Sequence, residues 1–265
     1  AVIISQHAGT VLMISRYAHT RARELEASVE RLKQNHINIK GVVLNGMKEL
    51  PPGLARVVGA RSRSGRAVRV VILSDGCGSH PNSQAYPAER LRAQREAETL
   101  RAVAELGLDP ACVTFLRLPD GAVPHEGAPA QAVAERIAGI AEACGAGAVL
   151  TTWGGDPHCD HKGAAAIVAL ARPLLKDART FAYPIWGWVL PPETEVGLAP
   201  SGIRLDVRGE RAAKRRAVYA HTSQTTGLID DPPGFRLEEA IIDRLCGPYE
   251  WYVETNAETD AGTRP

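Results

Sequence analysis

AVLTTWGGDPHCDHKGAAAIVALARPLL, residues 148–175, passes from a short apolar run through a glycine-led bend into an alanine-rich segment. Ala148–Trp153 reads as a buried strand and His161–Leu175 as a helix. Between them, Gly154 and Gly155 let the backbone turn out of the strand. Asp156 and Pro157 stiffen the loop, and Asp160 is placed to cap the helix. The same alternation continues outward. Upstream lie a strand and turn at 112–121 (CVTFLRLPDG) and a helix at 129–145. Before them come a strand at 66–76 (RAVRVVILSDG) and a helix at 88–108 closed by Gly107. Farther back, Thr10–Ser15 and 39–47 read as strands flanking a helix over 20–36, with a short helix at 54–65 after the KELPPG break. Strands separated by helices at this spacing imply parallel pairing with right-handed crossovers. The fold expected is a doubly wound, Rossmann-like α/β structure, mostly parallel, with helices on both faces. Sites on such sheets gather at the carboxyl ends of the strands, where SDGCGSH, LPDG and WGGDPHCDH all fall.

Composition narrows the partners. The 265 residues are 45% apolar, enough for a substantial core. Thirty-one basic and 30 acidic residues leave a net charge of +1, so no field recommends nucleic acid or an anionic membrane. No apolar run is long enough to span a bilayer, and the opening AVIISQHAGTVLMIS lacks the basic segment and cleavage site of a signal peptide. The five cysteines are scattered, odd in number and without a C-x-x-C pair, which argues against a disulfide framework and for a reducing cytoplasm. A polar tail follows Glu254.

Within the bend, His158 and His161 lie three apart and share one face. Imidazoles are suitable zinc ligands, but a catalytic zinc usually takes three protein ligands and a water, so two histidines make only part of a site. From about Leu54 to Tyr252 the sequence resembles the PIG-L/LmbE family of zinc-dependent N-deacetylases. The pieces occur in the family's order: VVILSDGCGSHPNS, the R-x-x-E of Arg95 and Glu98, LPDG, H-x-D-H at 158–161, then KRRAVYAHTSQ and GLIDDPPGF. The resemblance implies zinc (Zn2+) as cofactor, with His161 a metal ligand. It implies that His158 stands beside the scissile amide as electrostatic stabiliser or proton donor, and that Asp160 orients a histidine or the metal's surroundings. Arg95, Asp120 and, in AHTSQ, His221 would line the substrate pocket. The reaction implied is hydrolysis of the acetamido group of an N-acetylglucosamine-like sugar or conjugate, with zinc acidifying water and polarising the carbonyl while a carboxylate takes the proton. Other readings stand beside these. Arg95 pairs equally well with Glu98 on a helix surface, Asp120 serves as a turn former, and His221 as a capped surface histidine. Trp186 and Trp188 suit either a sugar face or packing.

The family's P-H-P-D-D motif, which brings two zinc ligands and the base at the end of the first strand, is absent. His7 and His19 are the nearest candidates by topology, without a neighbouring carboxylate pair. Residues 7–47 instead resemble the last part of the kinase domain of bacterial tyrosine autokinases of exopolysaccharide export, without a phosphate-binding loop or tyrosine cluster. The organisation expected is therefore a kinase-like β-α-β segment over 1–48, a junction at 49–53, a deacetylase-like domain over 54–253 and a tail over 254–265. TVLMIS is expected to pair at the sheet edge vacated by the missing strand. With one transferred ligand, metal affinity and turnover are expected to be impaired. The alternatives are a non-catalytic carbohydrate-binding remnant or a kinase fragment fused to a deacetylase.

Overall fold

The structure, a computed structural model, describes residues 11–16, 39–45, 68–176, 178–191, 194, 202–231 and 234–255, the first two segments as strand backbone. Strands β1 (Val11–Arg16) and β2 (Ile39–Asn45) pair in parallel from Val11 with Ile39 to Arg16 with Asn45. Neither is hydrogen-bonded to any other described strand. The expected pairing of TVLMIS with the main sheet is thus corrected: among the described strands its backbone groups find partners in β2. The helices read at 20–36 and 54–65, and His7 and His19, lie outside the described residues.

From residue 68 onward the expected alternation is observed. β3 (Val70–Ser74) and β4 (Val113–Leu118) pair in parallel, joined by helix α1 (Ala88–Glu105). Helix α2 (Gly127–Ala143) leads to β5 (Ala148–Thr152), and helix α3 (Cys159–Ala171) to β6 (Arg179–Tyr183), which pairs in parallel with β5. The chain then changes style. After β7 (Gly202–Asp206) come helices α4 (Arg211–Tyr219), α5 (Thr222–Thr225) and α6 (Glu239–Leu245), and β8 (Tyr249–Glu254) runs antiparallel to both β6 and β7. The described residues from 68 onward thus form two sheets, the pair β3-β4 and a mixed sheet of order β5-β6-β8-β7, so parallel pairing ends at β6.

One apolar cluster serves both sheets. Ala130, Ala134, Ile137, Ala138 and Ala141 repeat at helical spacing along α2 and meet Ile167 and Ala171 of α3. Val71 and Leu73 of β3, Leu118 of β4 and Val149 of β5 pack on the same cluster. Small side chains let α2 and α3 approach closely, and the carboxyl ends of β3, β4 and β5 consequently deliver their loops to one neighbourhood. There the amide of Asp75 donates to the Leu118 carbonyl at 2.9 Å, and that of Trp153 to the Tyr183 carbonyl at 2.9 Å.

Candidate active site

Asp156 is wholly buried in the bend after β5. One oxygen accepts from the backbone amides of Ile185 and Trp186, both at 2.8 Å, and of Gly187 at 3.1 Å. The other lies 3.0 Å from Nδ1 of His161. Burial alone would raise the carboxyl pKa, but the amides and His161 more than offset it and hold the group below its ordinary value. An ionised carboxylate can only accept, so Nδ1 of His161 carries the hydrogen and Nε2 presents a lone pair. Burial also lowers the pKa of His161, against the pull of Asp156, and favours the neutral ring. With 22% of its side chain exposed, that ring remains reachable from solvent.

His158 is set the opposite way. It caps the start of α3, and its Nδ1 accepts from the amide of Asp160 at 3.1 Å. In the neutral ring the hydrogen then sits on Nε2, which is a donor. The two rings are 4.8 Å apart, tilted by 33°. One imidazole thus presents a lone pair and its neighbour an N–H.

Asp160 is buried and accepts from Gly121 at 3.0 Å and Val123 at 3.2 Å, which clamps the LPDG turn to the first turn of α3. The histidine-orienting carboxylate is Asp156, so Asp160 acts on the turn rather than on His161. Close approach is built in at Gly163, where a Cβ would lie 2.8 Å from Cγ1 and 2.9 Å from the carbonyl oxygen of Val123. Asp120 accepts from the amide of Gly78 at 2.9 Å, while Asp75 accepts from the amides of Asp120 at 3.3 Å and Cys77 at 3.0 Å. Burial and the neighbouring Asp160 raise the pKa of Asp120, against Gly78 and Arg95; that of Asp160 is lowered, because the amides of Gly121 and Val123 outweigh its burial. Of the two carboxyls, Asp120 is the one on which a proton is favoured, and its bond to Gly78 makes it more than a turn former.

Arg95 joins this group from α1. Its Nη2 donates to Oγ of Ser79 at 2.7 Å, and Ser79 is 2.8 Å from Nδ1 of buried His80. The side chain crosses over Gly76, whose φ of +69° suits glycine and where a Cβ would meet Cδ of Arg95 at 2.8 Å. Burial lowers the Arg95 pKa, against the nearby charges of Asp120 and Glu98. Glu98 is not a surface ion-pair partner. It is fully buried and accepts from Gln94 at 2.7 Å, Thr222 Oγ1 at 2.8 Å, and Ser223 through N at 2.8 Å and Oγ at 2.6 Å. This anchor fixes the AHTSQ segment. His221 beside it is half-buried, not a capped surface histidine, and its pKa is lowered by burial and Arg95 against the pull of Glu98.

GLIDDPPGF closes the other side. Asp231 accepts from the amide of Asn82 at 2.8 Å, and Asp230 from the amide of Ala85 at 3.0 Å and from Oγ of Ser83. Trp186 meets Phe235 edge-on at 5.9 Å, and Trp188 meets Trp251 at 6.4 Å, so both tryptophans pack on other rings. The structure thus links His158, Asp160, Asp120 and Arg95 through shared contacts, sets His161 beside His158, and places His221 next to Arg95. Sequence reading missed Asp156 as a histidine partner, Glu98 as an anchor, and His80, Asp230 and Asp231 altogether. Only His80, in SDGCGSH, sat in a strand-end motif that could have flagged it.

The donor set suits a zinc ion in part. A neutral imidazole backed by a buried carboxylate is the usual arrangement of a zinc-binding histidine. Among the described residues, His158, Cys159 and Asp160 also bring ligand atoms within 4.8 Å of one another. Nδ1 of His158 and each oxygen of Asp160 already accept from a backbone amide, and Nε2 of His161 adds a nitrogen donor beside them. No described helix is long and apolar enough to cross a membrane, and all five cysteines are unpaired.

Comparison with known proteins agrees with this architecture. The zinc-inhibited form of teicoplanin deacetylase Orf2 superposes with a TM-score of 0.56 at 17% identity, covering 77% of this chain and 94% of that one. A conserved protein from Thermus thermophilus gives 0.52 at 22% identity, covering 77% and 88%. At these identities the likeness is one of fold. At the other end of the chain, 47 residues are 49% identical to the tyrosine-protein kinase Wzc of Salmonella typhimurium, covering 18% of this chain and 6% of the kinase. The chain thus spans only a small fraction of the curated relatives it matches. Residues 52–171, which carry Arg95, Asp120, His158 and His161, match the model of the PIG-L family, described as GlcNAc-PI de-N-acetylase.

Proposed function

We propose that residues 54–253 form a PIG-L-type hydrolase that removes the N-acetyl group from an N-acetylglucosamine-like sugar or conjugate, with zinc as cofactor. The supporting observation is the opposed pair of imidazoles: Nε2 of His161 is a lone-pair donor set by Asp156, and Nε2 of His158 carries a hydrogen. His161 would hold the metal, and zinc, when bound, supplies polarisation of the amide carbonyl and acidification of water. His158 donates a hydrogen bond from Nε2 to the developing charge and keeps its hydrogen, because its Nδ1 is already an acceptor; the proton that reaches the departing amine is the one water gives up, carried by a carboxylate. Asp120, with its raised pKa, holds and passes a proton beside it. Arg95, fixed on Ser79, faces the polar groups of the substrate. His7 and His19 are the candidates for completing the metal's ligands.

The domain division is proposed as 1–48, a junction at 49–53, the hydrolase over 54–253 and the tail. The unpaired cysteines support a reducing, cytoplasmic setting. Acetate release from methyl N-acetylglucosaminide tests the reading. It should stop with a chelator, return with zinc, and be absent in His161→Ala at unchanged melting temperature. Turnover insensitive to chelation contradicts it.

A further inference from the structure

The loop that cages Asp156 also walls a separate cavity of about 320 Å³, at the lower end of small-molecule sites. None of His158, His161, Arg95 or Asp120 lines it. Its walls are aromatic. Tyr183 at the end of β6 meets Tyr252 edge-on at 6.2 Å, and Trp188 meets Trp251 of β8 at 6.4 Å, so paired rings hold one another at fixed angles. Three charged groups, Lys214, Arg244 and Glu250, complete the lining. Glu250 is held by Lys214 at 2.9 Å and by the Tyr252 hydroxyl at 2.8 Å. Arg244 reaches across to the carbonyl of Trp188 and, among the described residues, has no carboxylate partner. Burial and the charge of Glu250 push the Tyr183 hydroxyl pKa up, which places that hydroxyl in the same field.

We propose that this cavity binds a pyranose ring, the sugar unit next to the one that is deacetylated. Ring faces suit the C–H surfaces of a sugar, while the Glu250 acceptor and Arg244 donor suit its hydroxyls. An acyl chain would set Arg244 against carbon, and an anion would have to compete with Glu250 for Lys214. The segment 183–188 contributes Tyr183 and Trp188 to the cavity and the amides of 185–187 to Asp156, so a ring bound here steadies the cage behind His161. The choice of sugar rests on the deacetylase reading.

The test is intrinsic tryptophan fluorescence of the full chain, titrated with N,N′-diacetylchitobiose and with N-acetylglucosamine. Saturable binding of the disaccharide is expected. It should weaken about tenfold or more in Arg244→Ala and in Trp188→Ala, and stay unchanged in Lys176→Ala, an exposed side chain outside the lining. Glu250→Gln, which preserves size, replaces Trp188→Ala if that variant melts early. Equal binding by the cavity variants, or no saturable signal, overturns the proposal. Acetate release with binding insensitive to the cavity variants refutes the sugar cavity alone. Variant-sensitive binding without acetate release refutes the hydrolase alone.

Discussion

Replacing Asp156 by asparagine probes the pairing that sets His161. The backbone around the carboxylate offers only donors, from Ile185, Trp186 and Gly187, so the asparagine oxygen must take over their three hydrogen bonds. The amide NH2 is then turned toward Nδ1 of His161, 3.0 Å from the present carboxylate oxygen. Nδ1 has to become an acceptor, and the ring hydrogen moves to Nε2. Hydrogen bonds to a charged group contribute about 1.5–3 kcal/mol each and their neutral counterparts about 1, so over the three amides the loss of charge should cost roughly 2–6 kcal/mol of stability. Zinc affinity should fall about 10- to 100-fold, as for other partners of metal-binding histidines. Nitrogen-15 NMR of histidine-labelled protein reads the tautomer, competition with a chromophoric chelator reads the affinity, and urea unfolding reads the stability. A variant that keeps the hydrogen on Nδ1 and binds zinc like the parent would refute the reasoning.

The remaining predictions concern the supports of the site. Burial would raise the Glu98 pKa, but hydrogen bonds from Ser223, Gln94 and Thr222 bring it below the ordinary value. Its stabilisation is therefore complete above the unfolded value of about 4.3 and is lost as pH falls through the folded value; urea unfolding at stepped pH should show this slope, flattened in Glu98→Gln. In Gly163→Ala the new Cβ meets Val123 from the side chain and from the backbone, so a loss of about 1–3 kcal/mol is expected in the same assay. Exposed Cys159 should be alkylated first, as read by mass spectrometry. Cys77, pushed up to about 11 by burial and Asp75, should follow slowly, and buried Cys112 and Cys246 only on unfolding.

The strands and helices between residues 66 and 175 were legible because apolar runs of strand length alternate with longer helical patterns, each bounded by a glycine turn. GIRLD at 202–206 and YEWYVE at 249–254 were not. Both are half-exposed, and their antiparallel partnership joins segments about 45 residues apart, which no local pattern records. The ends of the strands pointed to the loops that carry Asp120, His158 and His161, because loops after parallel strands converge; their roles, and Arg95 on its helix, came from the resemblance alone. Asp156 escaped for a physical reason: an aspartate before proline in a glycine bend looks like a turn former, and the amides that make it a buried anion lie 29 to 31 residues away. Glu98 looked like a helix-surface partner of Arg95 since its hydroxyl and amide donors come from Thr222 and Ser223, over 120 residues later.

Anomalous diffraction at the zinc absorption edge, from crystals of the full chain grown with zinc, addresses the metal centre most directly. A peak about 2.0–2.1 Å from Nε2 of His161, with Nδ1 still on Asp156, is the expected result. A peak remote from His161, or none with its Nε2 bonded to protein, would contradict a metal-dependent deacetylase.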